Sequence, residues 1–383
     1  MSGHCAAPVR LGMVAGEASG DLLAGLLLQG MRQRWPQLQA HGIGGPQMAR
    51  QGFEAWWPHE KLAVSGYVEV LKHYREIVGI RDALRDRLLA EPPQAFIGVD
   101  APDFNLGLEA SLKARGVKTV HFVCPSIWAW RAKRVEKIRR SCDHVLCIFP
   151  FEPALLAQHG IAATYVGHPL ASLIPAAPDK AGARAALGLP AEAEVIAVLP
   201  GSRASEVAAM APRFLQAAAA LQRKRRQAWF VVPAVPARRA AITAAARAAG
   251  VTHLVIVDGQ SHAALAACDV ALVTSGTATL EAALFQRPMV ISYHVNWLSY
   301  ALMKPRHLQP WVGLPNILCG DFVVPELLQA NAKPELLARA LADWLDAPAR
   351  MQAVQEKFRG LHAQLQRDTA TLAADAIEKV LQS

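Results

Sequence analysis

The chain has 383 residues, 52% of them hydrophobic and 19% charged, with 40 Lys and Arg against 31 Asp and Glu for a net charge of +9. That length suggests two domains with a core each, and the apolar balance, with a mean hydropathy of +0.18, excludes a disordered chain. The basic surplus suits phosphates or anionic headgroups; its densest runs, Arg131–Arg140 and Arg223–Arg226, follow helical periodicity without a nucleic-acid module, so no nucleic-acid partner is expected.

No run of about 18 uninterrupted apolar residues is present. Arg10, Glu17 and Asp21 interrupt the N-terminus before a signal-like core develops, so a cytoplasmic chain is expected. The six cysteines lack the paired short spacings of a zinc site or a disulfide framework. CDHVLC, Cys142–Cys147, alternates like a strand and offers no second ligand pair, so no metal is assigned.

In chain order, short apolar runs alternate with helical periodicity, which predicts parallel, doubly wound α/β sheets. Strands are expected at Arg10–Ala15, Ala95–Val99, Thr119–Val123 and His144–Ile148, then at Val195–Leu199, Trp229–Val232, Leu254–Val257 and Val270–Val273. The Ala- and Pro-rich stretch Leu170–Pro190 separates the two sets as a linker. The expected division is 1–175, 190–345 and a helical tail, 346–383, which packs on the first domain or on a partner subunit.

The first strand runs into VAGEASGD, where Gly16, Glu17 and Ser19 make an acceptor-binding loop and Ser19 or Asp21 can alternatively cap a helix. Neither this loop nor GIGG at Gly42–Gly45 carries a dinucleotide fingerprint, so no cofactor is assigned. Leu62–Gly79 follows with an apolar stripe at helical spacing that either packs on the core or meets a membrane surface through Val64, Val68, Leu71, Lys72 and Arg75. After the strand in FIGVDAPDFN, Asp100 or Asp103 is the candidate general base, with Asp100 preferred because it lies closer to the strand end and Asp103 joining Gly16, Glu17 and Ser19 as an acceptor-binding residue.

Two turns in the C-terminal half repeat one logic of strand, small-residue turn and helix. In LPGSR, Ser202 and Arg203 follow a strand, and the arginine can hold a diphosphate bidentately. In TSGTATLE, the backbone amides of Ser275, Gly276 and Thr277 are expected to face an anion at a helix N-terminus, with Glu281 one turn on to take sugar hydroxyls.

Together VAGEASGD, GIGG, FIGVDAPDFN, PSIWAWR (Pro125–Arg131), FPFE (Phe149–Glu152), VGHPL (Val166–Leu170), LPGSR, TSGTATLE and LPNIL (Leu314–Leu318) make the chain resemble the lipid A disaccharide synthases, glycosyltransferases of the GT-B class. The resemblance spans Val14–Leu318. It implies two Rossmann-like domains facing a cleft, with a UDP-sugar donor in the C-terminal one and a lipid acceptor in the N-terminal one. It further implies peripheral attachment to the inner membrane and a homodimer with exchanged C-terminal segments. The implied reaction joins UDP-2,3-diacylglucosamine to 2,3-diacylglucosamine 1-phosphate with inversion, and Asn316 resembles a family position near the donor. The same fold and donor loops would also serve a UDP-N-acetylglucosamine 2-epimerase or a non-catalytic binding protein.

Overall fold

The structure, a computed structural model, describes residues 8–62, 67–128, 134–294 and 310–383, with the side chains of 18 and 67–74 outside that description. The chain forms two compact units, Met1–Pro169 with Leu365–Ser383, and Leu170–Gln364.

In the first unit the strands are β1 (Arg10–Ala15), β2 (Gln39–Gly44), β3 (Glu54–Pro58), β4 (Ala95–Val99), β5 (Lys118–Phe122), β6 (His144–Cys147) and β7 (Ala163–Tyr165). The helices between them are α1 (Ala18–Arg34), α2 (Pro46–Ala49), α3 (Tyr67–Ala90), α4 (Pro102–Lys113), α5 (Arg134–Ser141) and α6 (Glu152–Ala157). All the pairings are parallel, in the order β3-β2-β1-β4-β5-β6-β7. β1 and β4 are its centre. Met13 stands opposite Ile97, every residue of AFIGV in β4 is buried, and helices cover both faces, which is why these strands read as continuous apolar runs rather than alternating ones. Val14, Phe96, Leu84, Leu88, Leu108 and Leu112 form one core cluster. From β1 the chain winds outward to β3, then returns at β4 and winds the other way, so the carboxyl ends of β1 and β4 border the switch point where such sheets bind ligands.

After α7 (Pro169–Leu173), the second unit contains α8 (Lys180–Ala186), β8 (Val195–Leu199), α9 (Ala204–Lys224), β9 (Trp229–Ala234), α10 (Arg239–Ala249), β10 (Leu254–Asp258) and α11 (Ser261–Ala267). It continues with β11 (Val270–Thr274), α12 (Thr277–Leu284), β12 (Met289–Tyr293), α13 (Leu314–Cys319), β13 (Glu326–Leu328), α14 (Pro334–Leu345) and α15 (Pro348–Leu365). The parallel order is β10-β9-β8-β11-β12-β13, which puts this unit's switch point between β8 and β11. Trp344 of α14 is fully buried and its indole N–H donates to the Met289 carbonyl at 3.0 Å, fixing that helix to β12. The last helix, α16 (Thr369–Gln382), lies in the first unit, where Ala370 packs on Gly30 of α1 and Asp375 lies 3.4 Å from Arg34.

The expected strands coincide with β1, β4 and β8 and differ by one or two residues at the other five. β2, β3, β7, β12 and β13 were not expected. The linker is a correction: Leu170–Gln364 is one unit, and α8 is tied into it by Arg184, whose buried guanidinium lies 2.9 Å from Asp269 just ahead of β11. The alanines and prolines of Leu170–Pro190 are mostly exposed, and Ile174, Arg184, Leu187 and Leu189 are among the buried residues that fasten the stretch.

Candidate active site

At the carboxyl end of β11 the backbone turns into α12 through Gly276, at φ 150° and ψ −163°. That region is essentially closed to residues with a Cβ. The Gly276 carbonyl accepts from the Thr279 amide at 3.1 Å and the Thr279 hydroxyl at 2.8 Å, which closes the first turn. One expectation needs correcting here: the Ser275 amide donates to the Ser292 carbonyl of β12 at 3.2 Å and so belongs to the sheet. First-turn amides have no acceptor within the helix, which makes Gly276 and Thr277 the pair offered to an anion. The Ser275 hydroxyl turns instead to the Val312 carbonyl, 3.5 Å away.

At the neighbouring carboxyl end, that of β8, α9 begins two residues earlier than the periodicity suggested because Glu206 caps it. Its Oε2 accepts from the Ser202 and Arg203 amides at 3.1 and 3.2 Å, and its Oε1 lies 3.1 Å from Arg203 Nη1. The Arg203 side chain is 50% exposed. A diphosphate arriving at this turn therefore meets amides and a guanidinium held by a carboxylate it can replace. Tyr293, ending β12, shares that neighbourhood: burial, and then the Glu206 carboxylate, push its hydroxyl above the usual tyrosine range. Glu281, at the second turn of α12, is mostly buried and lies 3.5 Å from Nε2 of His262 on α11. Neither Tyr293 nor His262 was singled out by motif; the signal for both is position, at or just beyond a strand's carboxyl end.

Asn316 has a different placement from the donor contact its motif implied. It is fully buried, its Nδ2 donates to the Val324 carbonyl at 2.9 Å and to Glu326 Oε1 at 2.8 Å, and its Oδ1 accepts from the Val324 amide. Glu326 in turn accepts from the Val312 and Gly313 amides. Asn316 thus holds the loop on which Ser275 leans, and its own amide is consumed.

In the first unit, Asp100 follows β4 at φ 51° and Ala101 follows it at φ 42°. Two consecutive non-glycine residues in the left-handed region cost about 1–2 kcal/mol each. Pro102 then starts α4, which fixes the direction of the helix. Gly16, after β1, is so close that a Cβ built on it would stand 3.1 Å from Ala101 Cβ, so the turn after β1 and the Asp100 turn touch. Glu17, which precedes α1, and Ser19, in its first turn, are both exposed. Asp103 is also exposed, but it pairs with Arg134 at the start of α5. Asp21 is a structural cap: its carboxylate accepts from the amides of Gly45, Gln47 and Met48 at 2.9, 2.9 and 3.1 Å, which joins VAGEASGD to GIGG.

Of the membrane-facing set, Val64 and the side chains of Val68, Leu71 and Lys72 lie outside the described residues, and Arg75 is exposed on α3. None of the described helices is long and apolar enough to cross a membrane. Among the described residues Glu109, His121 and Cys142 make one buried group with metal-type donors. Both Glu109 oxygens are engaged, with His121 Nδ1 at 2.7 Å and the Cys142 thiol at 3.2 Å. Burial, with the Glu109 carboxylate beside it, holds that thiol protonated.

Residues 11–378 match the family described as lipid-A-disaccharide synthetase. The chain belongs to that family. It is 63% identical over 388 residues to the lipid-A-disaccharide synthase of Albidiferax ferrireducens, covering 100% of both chains. Its fold is similar to that of a glycosyltransferase involved in lipopolysaccharide biosynthesis, at a TM-score of 0.58 and 16% identity over 97% of this chain and 99% of that one. It is also similar to that of a UDP-GlcNAc 2-epimerase from Neisseria meningitidis, at a TM-score of 0.62 and 10% identity over 97% and 99%. The two parallel sheets are thus a Rossmann-like pair of the GT-B fold type.

Within the family frame, PSIWAWR, FPFE and VGHPL converge on one buried group. Trp128 Nε1 and the Phe149 amide donate to the fully buried Glu152 carboxyl at 3.1 and 3.0 Å. Trp128 meets Phe151 edge-on, and Phe149 lies 5.8 Å from the His168 ring. Burial pushes Glu152 up to about 8 and His168 down to about 4.

Proposed function

We propose that the chain transfers 2,3-diacylglucosamine from UDP to the 6-hydroxyl of 2,3-diacylglucosamine 1-phosphate, giving the β-1′,6-linked disaccharide 1-phosphate and UDP. Family membership carries this reading, and two ligand-type turns at sheet switch points support it. Asp100 takes the acceptor hydroxyl proton; the oxygen attacks the donor anomeric carbon from the face opposite UDP, and the glycosidic bond to the diphosphate breaks with inversion. Charge arriving on the diphosphate is met by Arg203, by the Ser202 turn, and by the Gly276 and Thr277 amides at the positive end of α12. Glu281 holds the ribose hydroxyls, and Asn316 keeps the adjoining loop in place. Gly16, Glu17 and Ser19 border the acceptor, with Asp103 reserved by Arg134 for shaping the turn. We further propose a homodimer that attaches peripherally to the inner membrane through the sequence stretch Leu62–Gly79, in which Val64, Val68, Leu71, Lys72 and Arg75 supply apolar and basic groups.

The test is incubation with both lipid substrates in detergent micelles and chromatographic separation, run beside Asp100→Asn. Disaccharide from the parent protein and none from the variant is the expected result. UDP release from UDP-N-acetylglucosamine without disaccharide would move the assignment to an epimerase. Loss of cosedimentation with anionic vesicles in Val68→Ser/Leu71→Ser is the expected membrane result, and retention would remove that part of the proposal.

A further inference from the structure

The left-handed pair Asp100–Ala101 needs something to hold it, and the candidate lies on α4. Asn105 is fully buried, and its Nδ2 donates to the Asp100 carbonyl at 2.8 Å and to the Val99 carbonyl at 3.3 Å. Both carbonyls flank the residue whose carboxylate is assigned the proton. Asn105 Oδ1 is buried and has no partner, so the side chain is oriented by its donor end alone, and an unmet acceptor is tolerated to keep that contact.

The surroundings leave Asn105 no second position. It packs on Gly98, where an added Cβ would stand 2.9 Å from Asn105 Cβ and would also run into Glu109, one helical turn further on. The Glu109 carboxylate is fastened by His121 of β5 and by Cys142. The Asn105 backbone amide itself donates to the Ala101 carbonyl at 3.0 Å. The turn is therefore gripped at residues 99, 100 and 101 by a single residue of the helix it starts.

We infer that Asn105 is a positioning residue for transfer: it holds the Asp100–Ala101 turn in its left-handed form and so aims the Asp100 carboxylate. This rests on the reading of Asp100 as the base. It predicts a loss confined to the chemical step, because Asn105 is buried beneath the turn and touches neither substrate. Misplacing a reacting group by about 1 Å costs on the order of 100-fold in rate.

The experiment measures steady-state transfer between the two diacylglucosamine substrates for the parent protein, Asp100→Asn, Asn105→Ala, the isosteric Asn105→Asp, and Asn105→Ala combined with Ala101→Gly, with thermal melting of each. The expected result is a 10- to 100-fold fall in kcat for both Asn105 variants, with KM for either substrate within about twofold. Glycine adopts φ 42° without steric cost, so Ala101→Gly is expected to recover part of the kcat lost in Asn105→Ala. A structural role alone would lower the melting temperature and leave kcat unchanged below it. Near-parent kcat in folded Asn105→Asp, with Asp100→Asn inactive, overturns the inference and leaves the base assignment standing. Activity retained in Asp100→Asn overturns both.

Discussion

In the proposed reaction Arg203 serves the diphosphate rather than the fold. Its guanidinium is half-exposed and pairs with Glu206, three residues along, an exposed type of contact that contributes at most about 1 kcal/mol. Glu206 keeps the Ser202 and Arg203 amides when the guanidinium is gone, so the cap of α9 survives. Arg203→Ala is therefore expected to lower kcat by roughly 100- to 1,000-fold, as removal of a charge-stabilising donor does, with a thermal midpoint within a few degrees of the parent. Parallel loss of folding and turnover would show that the arginine is part of the scaffold. The position of this residue after a strand was legible in the sequence, whereas Glu206 as its partner was not, because a capping carboxylate and an ordinary helical glutamate look alike in sequence.

At the scale of elements, the central strands were legible by burial and length, although β12, five residues long and mostly buried, was not. β1, β4 and β8 are central, covered on both faces, and their apolar runs set their own limits. β2 reads QAHGIG and β3 EAWWP, edge-side strands with glycine, charge or proline, while β7 and β13 have three residues each. Such segments are strands because a neighbour offers its edge, and that neighbour is far away in sequence. The same limit explains Asn316. A motif can mark an asparagine beside a donor loop, but only the fold shows Val324 and Glu326 consuming its amide. The α12 turn yields a prediction of this kind. Nothing lies within 4 Å of a Cβ added at Gly276, so Gly276→Ala creates no clash and acts through backbone strain alone. It is expected to cost about 1–3 kcal/mol and to weaken UDP binding, because relaxing φ turns the Gly276 and Thr277 amides away. Calorimetric titration with UDP measures this, and unchanged affinity would remove those amides from the donor site.

For the first unit as a whole, the buried pair behind FPFE and VGHPL sets a pH signature. Glu152, ordinarily at 4.5, is held up to about 8 by burial, so between those values the folded chain keeps a proton that the unfolded chain releases, and stability falls as pH rises. His168, ordinarily at 6.5, is held down to about 4 by burial; between those values the unfolded chain binds a proton that the folded chain does not, and stability falls as pH drops. The two slopes oppose each other from 4.5 to 6.5 and largely cancel, whereas from 6.5 to 8 Glu152 acts alone. Each slope is at most about 1.4 kcal/mol per pH unit. Urea unfolding at half-unit steps is expected to show that Glu152→Gln, relative to the parent, becomes progressively more stable from pH 6.5 to 8. His168→Gln should instead gain on the parent as pH falls from 6.5 toward 4.5. Parallel curves for parent and Glu152→Gln across pH 6.5–8 would mean that Glu152 is ionised in the fold, with the Trp128 indole and the Phe149 amide stabilising a buried carboxylate rather than a buried acid.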